Sequence, residues 1–579
     1  MLVPIPPEVR IRLRRIALEN AIEHGDAPRS GPVVARLLSQ DASLRSSASE
    51  VRAEADRVVA EIGGMDARAR ADALAALGGP EARAPRATSA DHGAEFPDLP
   101  GAGPGEVVLR LAPFPSGALH IGHARMIYAN DHYRKRYAGR LLLVFDDTPG
   151  SEEKKVESEF YDIIRGDLDL AQVRPDAVYY KSDRVGAFYP WALRTIEAGG
   201  AYVCHCPADL LRANRAAGRA CPERDQTTEE TMREWNRMLA GEFAVGSAVL
   251  RLRTDMQDPD PAFRDRILFR LSDLDHPRVG HRYRVWPMLE FSWAVDDLEL
   301  GITHVLRGKD LVIEDRMERF LWDLWKVKGP EFVHWGILRI REAKVAKSKA
   351  YREVKSGVFD GWDDPRTWSL RSLDRRGITS EAVRAFILSF GMSLSDIEVP
   401  AESLYSENRK LIDATTMRRS FVADPVAVNV SGWPTGIESA ELPNHPDRPE
   451  LGTRTVSAGP RFYLARKDVG AHAGEEVRLK DLANIRLPPD IPESFDRLSA
   501  EFTSRENKRI PRLQWVAATN AVPVDLLGIE GEHTRGMGEA ALLSATPRQR
   551  FQFERVGFVR LDRGYTPPDL PVRVVYGHP

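Results

Sequence analysis

The stretch EVVLRLAPFPSGALHIGHARMIYANDHYRKRYAGRLLLVFDDT, residues 106–148, decides how this chain folds. It opens on a short apolar run, Val107 to Leu111, followed by a loop rich in Pro, Gly and Ser. From Leu119 the pattern is helical, and it stops at Gly139. RLLLVF then reads as a buried strand ending in two acids, Asp146 and Asp147. Strand, loop, helix and strand of this size make a βαβ unit, and hence a parallel sheet. In such a sheet ligands sit outside the carboxyl ends of the strands. The helix N-terminus delivered to that edge carries free N–H groups and a partial positive charge, which favour phosphates. His120 and His123 share one face of its first turn. Two imidazoles there can hydrogen-bond phosphate oxygens and stabilise charge that develops as a phosphoanhydride breaks. Gly122 between them lets a nucleotide approach the backbone.

The rest of the chain builds outward from this unit. At 579 residues it is too long for one core. The fold class is multidomain α/β, with a helical region over 1–80 and a linker over 81–105. In the first region Ser47 and Glu50 have capping-box spacing, and Val51, Ala55, Val58, Val59 and Ile62 form an apolar stripe. A second helix there stops at Gly78, Gly79 and Pro80. The α/β pattern continues over 106–345. A helical connector follows over 346–412, then a C-terminal all-β region of barrels over 413–579. Composition is that of an ordinary soluble protein, 42% hydrophobic and 29% charged, with a net charge of −3. No apolar run approaches bilayer-spanning length and no secretory signal opens the chain, so a cytoplasmic protein without a membrane partner is expected. The net charge carries no global sign of nucleic-acid binding, but it leaves room for local basic surfaces.

A second chemical element lies far downstream. REAKVAKSKAYRE places Lys344, Lys347 and Lys349 around small residues and Ser348. A lysine loop can reach phosphates as point charges from the side opposite the histidines. Alone, either element reads as ordinary surface. Together, HIGH and KVAKS resemble the two signatures of class I aminoacyl-tRNA synthetases, HIGH and KMSKS. Further stretches, APFPSGALHIGHAR, FDDT, VDDLELGITHVLRGKD, GWDDPR, ENRKLID and FQFERVGFVRLD, resemble the glutamyl/glutaminyl group. ALENAIEHG and the closing β segments are similar to archaeal-type glutamyl-tRNA synthetases; bacterial ones carry a helical anticodon domain instead.

The resemblance implies a Rossmann-type catalytic domain that uses ATP with Mg²⁺ to make glutamyl-adenylate and then esterifies the 3′ end of tRNA. His120, His123, Lys344 and Lys347 would be the catalytic groups, with Gly122, Leu338 and Ser348 beside the nucleotide. Ala346 stands where the family usually has Ser or Thr. Arg110 and Arg307 would each grip a carboxylate, and Asp146 would receive the substrate ammonium. The pocket also departs from the family pattern. Phe114 occupies a small polar or acidic position, Leu289 a usual Tyr, and Trp293 a polar or small one. Val144 and Ile337 each replace a typical Arg. Losing hydrogen-bonding groups weakens discrimination. A glutaminyl-tRNA synthetase, which shares the same architecture, stays an alternative. So does a diverged paralogue with another amino-acid specificity, or one that binds tRNA or a nucleotide without aminoacylating.

The three cysteines cluster in YVCHCPADLLRANRAAGRACPER, as Cys204, Cys206 and Cys221. An odd, clustered set is no disulfide framework. Thiolates at this spacing suit tetrahedral Zn²⁺, with Glu223 where related enzymes carry the fourth ligand; a metal-free insertion with small buried cysteines is the alternative. The resemblance implies that residues 201–280 are an insertion between two catalytic halves, 106–200 and 281–345, and that it contacts the acceptor stem, through arginines in VLRLRTDM, AFRDRILFR and RVGHRYRVW, while the β region holds the anticodon loop. Expected partners are glutamate and the tRNA for glutamate, with the tRNA for glutamine as a second candidate, on a monomeric enzyme.

Overall fold

Val108–Leu111 (β1), Arg140–Phe145 (β2) and Ala177–Tyr180 (β3) pair in parallel in the order β1-β2-β3. The register sets Leu109 opposite Leu141 and Val144 opposite Tyr179. The computed structural model describes residues 6–24, 30–31, 33–34, 37, 48–77, 95–149, 155–343, 347–492 and 495–579. Ser47, Gly78–Pro80, most of the expected linker and Lys344 to Ala346 lie outside the described residues, as do the side chains of Lys347 and Ser348.

The chain divides into two units, 1–93 and 94–579. In the first, the helices Pro7–His24, Ala48–Gly63 and Ala67–Ala76 bury a shared apolar core. Val51, Ala55, Val58 and Ile62 of the stripe are inside it, and Val59 is at its margin. Asp66 caps the third helix by accepting from Ala69 N at 2.8 Å.

In the second unit, β1 and β2 are apolar on both faces because helices and loops cover both sides of a parallel sheet. The helix Ile121–Arg136 crosses from β1 to β2 and buries Ile121, Ala124, Ile127 and Tyr128. The end of the expected linker packs on this helix: Leu99 is buried, and Tyr133 donates its hydroxyl to Pro97 O at 2.8 Å. The insertion forms an antiparallel four-stranded sheet of Ala201–Cys204 (β4), Val249–Leu252 (β5), Ile267–Leu271 (β6) and Val285–Pro287 (β7), so it runs past the expected end at 280 because β7 pairs with β6. The helix Leu289–Glu299 leads back to His304–Gly308 (β8), which pairs in parallel with Glu331–Trp335 (β9). Thr303 joins this half to the first: its N–H donates to Val108 O at 3.0 Å, and its Oγ1 accepts from Val108 N at 2.9 Å. The connector is helical, including Leu370–Arg375, Ser380–Leu388 and Glu402–Ile412. Beyond it lie two seven-stranded sheets.

Ion pairs tie connector to β region. Arg375 grips Asp562 through two bonds of 2.7 and 2.8 Å, and His578 Nε2 accepts from the Asn408 amide at 2.9 Å.

Candidate active site

The loop after β1 brings His120 to the N-cap of Ile121–Arg136, with extended backbone that lets its side chain turn back on the helix. His120 Nδ1 accepts from Gly122 N at 3.1 Å, and His123 Nδ1 accepts from His120 N at 3.2 Å. Each neutral imidazole therefore carries its proton on Nε2. The two rings lie 4.0 Å apart, centroid to centroid. A Cβ on residue 122 would come within 2.9 Å of the His120 ring, so glycine is needed there.

A cleft of about 660 Å³ opens beside this turn, lined by His120, Gly122, Ile337, Leu338 and Lys349 among others. Its floor is held from below by Arg125, whose buried guanidinium donates to Gly336 O at 2.8 Å and Gly391 O at 2.9 Å. Ile337 adds apolar surface to the cleft where an arginine was the usual residue.

Arg110 on β1, Asp146 after β2 and Arg307 on β8 all reach the carboxyl edge of the sheet, and all are buried. Neither arginine is idle. Arg110 pairs with Asp297 through bonds of 2.5 and 2.9 Å, and Arg307 donates to Asp315 at 2.7 Å and to Glu318 at 2.8 Å. The expectation that both hold a substrate carboxylate alone is thus amended: each reaches a substrate only through the donors its own acids leave over. Arg307 Nη1 is such a donor, buried and unpartnered. Trp293 stands at the centre, with the Arg110 and Arg307 guanidinium carbons 4.9 and 5.1 Å from its ring centroid. Its buried Nε1 also has no partner. Leu289 begins the same helix and is half-buried, and Phe114 is half-buried in the loop after β1. Val144 faces the other layer, packed with Leu142, Ile302 and Val305, so the missing arginine takes nothing from the pocket.

One buried cation escaped the reading of the sequence. Lys181, the first residue after β3, is wholly inaccessible and sits 2.9 Å from Asp146 Oδ1. Its position at the carboxyl end of a strand was the available signal. Next door, Asp147 accepts from Tyr161 and from Ser182, and burial pushes its carboxyl above the usual range. Asp296, bound by Arg184 at 2.7 Å, is pushed up to about 6 by burial.

In the insertion, the Cys204, Cys206 and Cys221 sulfurs lie within 4.8 Å of one another. Three soft donors at that separation fit Zn²⁺. Glu223 Oε2 is 3.9 Å from Cys206 Sγ. His205 turns away to Ser247 O and Glu234, both at 3.0 Å. A fully buried Arg251 donates to Cys221 Sγ at 2.9 Å. The basic face expected of the insertion is thereby reduced. Arg251 serves the thiols, Arg253 caps the Gly199 and Gln226 carbonyls, Arg266 pairs with Glu290, and Arg284 with Asp273. The apolar strands around these arginines leave them buried or half-buried, where internal acceptors outcompete phosphate.

Fold and site together define an α/β domain with a cleft beside the first helix turn after β1, followed by a β-rich region. Residues 106–414 match the catalytic domain of tRNA synthetases class I (E and Q), and residues 416–497 and 512–562 match anti-codon binding domains of the same group. The protein named Glutamate–tRNA ligase from Methanoculleus marisnigri is 39% identical over 550 residues, 94% of this chain and 95% of that one. Its namesake from Methanothrix thermoacetophila is 39% identical over 96% of this chain and 97% of that one; for Pyrococcus abyssi the values are 37%, 96% and 97%. The chain belongs to the class I (E and Q) tRNA synthetases, in their archaeal-type glutamyl branch. Among the described residues no helix is long and apolar enough to cross a membrane.

Proposed function

We propose that this protein attaches glutamate to the 3′ end of its tRNA through a glutamyl-adenylate, with ATP as the second substrate. The observation that carries the reading is that β1 serves both parts: Arg110 on it shares the Trp293 ring with Arg307, and the loop after it delivers the His120–His123 turn. The relatives' shared name, glutamate–tRNA ligase, supports glutamate over glutamine.

The α-carboxylate attacks the α-phosphorus of ATP. A new P–O bond forms, the bond to pyrophosphate breaks, and the electron pair leaves with pyrophosphate. The two Nε2–H groups donate to phosphate oxygens as charge builds on them. Ile337 and Leu338 give the adenine an apolar wall, and by the signature they match Lys344 and Lys347 are assigned to the phosphates as point charges. Mg²⁺ accompanies the triphosphate and offsets its charge. In the second step a ribose hydroxyl of the tRNA attacks the activated carbonyl carbon, and AMP leaves. No covalent enzyme intermediate is needed, so the protein's part is positioning and charge stabilisation. ATP–pyrophosphate exchange across all twenty amino acids, with total tRNA present, tests the reading. Exchange with glutamate is expected; exchange with a different amino acid alone, or with none, would overturn it.

Cys204, Cys206 and Cys221, with Glu223 in reach, would hold a structural Zn²⁺ that clamps β4 to the segment before residue 225. One zinc per chain by elemental analysis is expected, falling below half in Cys206→Ser.

Glu318 links the pocket to pH. Burial pushes its carboxyl from 4.5 up to about 7, against the pull of Arg307. Its folded value lies above its unfolded one, so the stability it contributes is complete below about pH 4.5 and fades as pH rises through about 7. Deprotonation also adds negative charge beside Arg307. The KM for glutamate therefore rises from about pH 6 to about pH 8, and Glu318→Gln flattens that profile.

A further inference from the structure

Lys181 is buried to zero exposure, and lysine is rarely found there unless its charge has work to do. Its Nζ is held by Ser292 Oγ at 2.7 Å and by Asp146 at 2.9 Å, and it stands 5.1 Å from the centroid of the Trp293 ring. Arg110 and Arg307 flank the same ring at 4.9 and 5.1 Å. Three cations thus surround one indole.

The charges facing this group are countable. Asp146 answers Lys181, Asp297 answers Arg110, and Asp315 and Glu318 answer Arg307. His334 lies 2.6 Å from Asp315, and Asp296 behind Lys181 is taken by Arg184. Remove the lysine, and two arginines face three carboxylates, with Glu318 as a fourth once it ionises near pH 7. Such a pocket repels an anionic side chain. With the lysine present the acids are nearly balanced.

What remains unused in the pocket also has one character. Trp293 Nε1 and Arg307 Nη1 are buried without partners. Indole, guanidinium and ammonium groups donate and never accept. A carboxylate can receive donors on both oxygens, whereas an amide must turn its own N–H₂ toward them.

We propose that Lys181 is a specificity-determining residue of the amino-acid pocket: its ammonium, fixed by Asp146 and Ser292 against Trp293, lets the site accept a side-chain carboxylate and refuse an amide. The inference rests on the glutamate reading above. It assigns to a residue outside the expected constellation the charge that makes this pocket work.

The test is ATP–pyrophosphate exchange with tRNA present, on wild type, Lys181→Gln and Lys181→Arg, with glutamate or glutamine as substrate. Loss of one partner of a buried charge pair raises the KM for glutamate by at least about 30-fold in Lys181→Gln. The preference for glutamate over glutamine falls at least about tenfold, the KM for ATP holds, and Lys181→Arg recovers part of the loss. An unchanged KM for glutamate and an unchanged preference, with only kcat or melting temperature lowered, would make Lys181 structural and overturn the proposal. Should Lys181→Gln fail to fold, Ser292→Ala removes one bond that orients Nζ. It then raises the glutamate KM several-fold, and an unchanged KM overturns the proposal. Wild type that shows no exchange with glutamate overturns the reading beneath, and this inference with it; wild type that exchanges while Lys181→Gln matches it overturns this inference alone.

Discussion

Replacing His120 with asparagine lowers glutamate-dependent pyrophosphate exchange by about 100- to 1,000-fold, the cost of losing one preorganised donor to developing charge. The choice of asparagine separates two jobs that one ring performs. As N-cap, His120 accepts from Gly122 N through Nδ1. Toward the cleft, it offers Nε2–H. The amide oxygen of asparagine lies near the place of Nδ1, so it keeps the cap, and asparagine is a favoured capping residue. Nothing in the shorter side chain reaches the place of Nε2. Calorimetry should therefore find the melting temperature of His120→Asn close to wild type while kcat for exchange collapses. If activity and melting temperature fall together, the ring is mainly a cap, and the assignment of donor to phosphate is wrong.

The second large effect is on stability. Arg110 and Asp297 are both buried, joined by two bonds of 2.5 and 2.9 Å. Taking two charges from water is costly, and their attraction roughly offsets that cost only while both are present. Asp297→Asn leaves the guanidinium buried without its counter-charge, at a cost of about 3–5 kcal/mol. A transition for the catalytic unit lower by roughly 10 °C is expected in differential scanning calorimetry. The double variant Arg110→Met, Asp297→Leu removes the charges together and recovers most of the loss, while glutamate activation stays lost. If the double variant is no more stable than Asp297→Asn, the damage lies in packing around β1 and not in the orphaned charge.

Much of this architecture was legible along the chain because its signals are local. The βαβ unit rests on apolar runs of strand length around one helical period, and β1, β2 and the helix Ile121–Arg136 lie where that pattern puts them. The helical connector and the β-rich end also announce themselves by changes of period. The residues expected near the nucleotide share this property: His120, Gly122 and His123 sit within one helical turn, and Ile337 and Leu338 are consecutive.

The amino-acid pocket was less legible. Its acids Asp297, Asp315 and Glu318 lie on helices and the arginines they hold on strands, up to 187 residues apart in sequence. Lys181 looked like any charged residue after a strand. Arg251 looked like half of a basic surface and is instead buried against two thiols. Val144 looked like a missing pocket group and faces the opposite layer.

The sequence by itself determined the order of the elements and the chemistry at the first helix turn, because periodicity and capping act between near neighbours. Only the tertiary structure decided which charges cancel and which donors stay open. Coulomb interactions and burial depend on distances in space, and these are settled when strands far apart in the chain come to lie along one sheet edge.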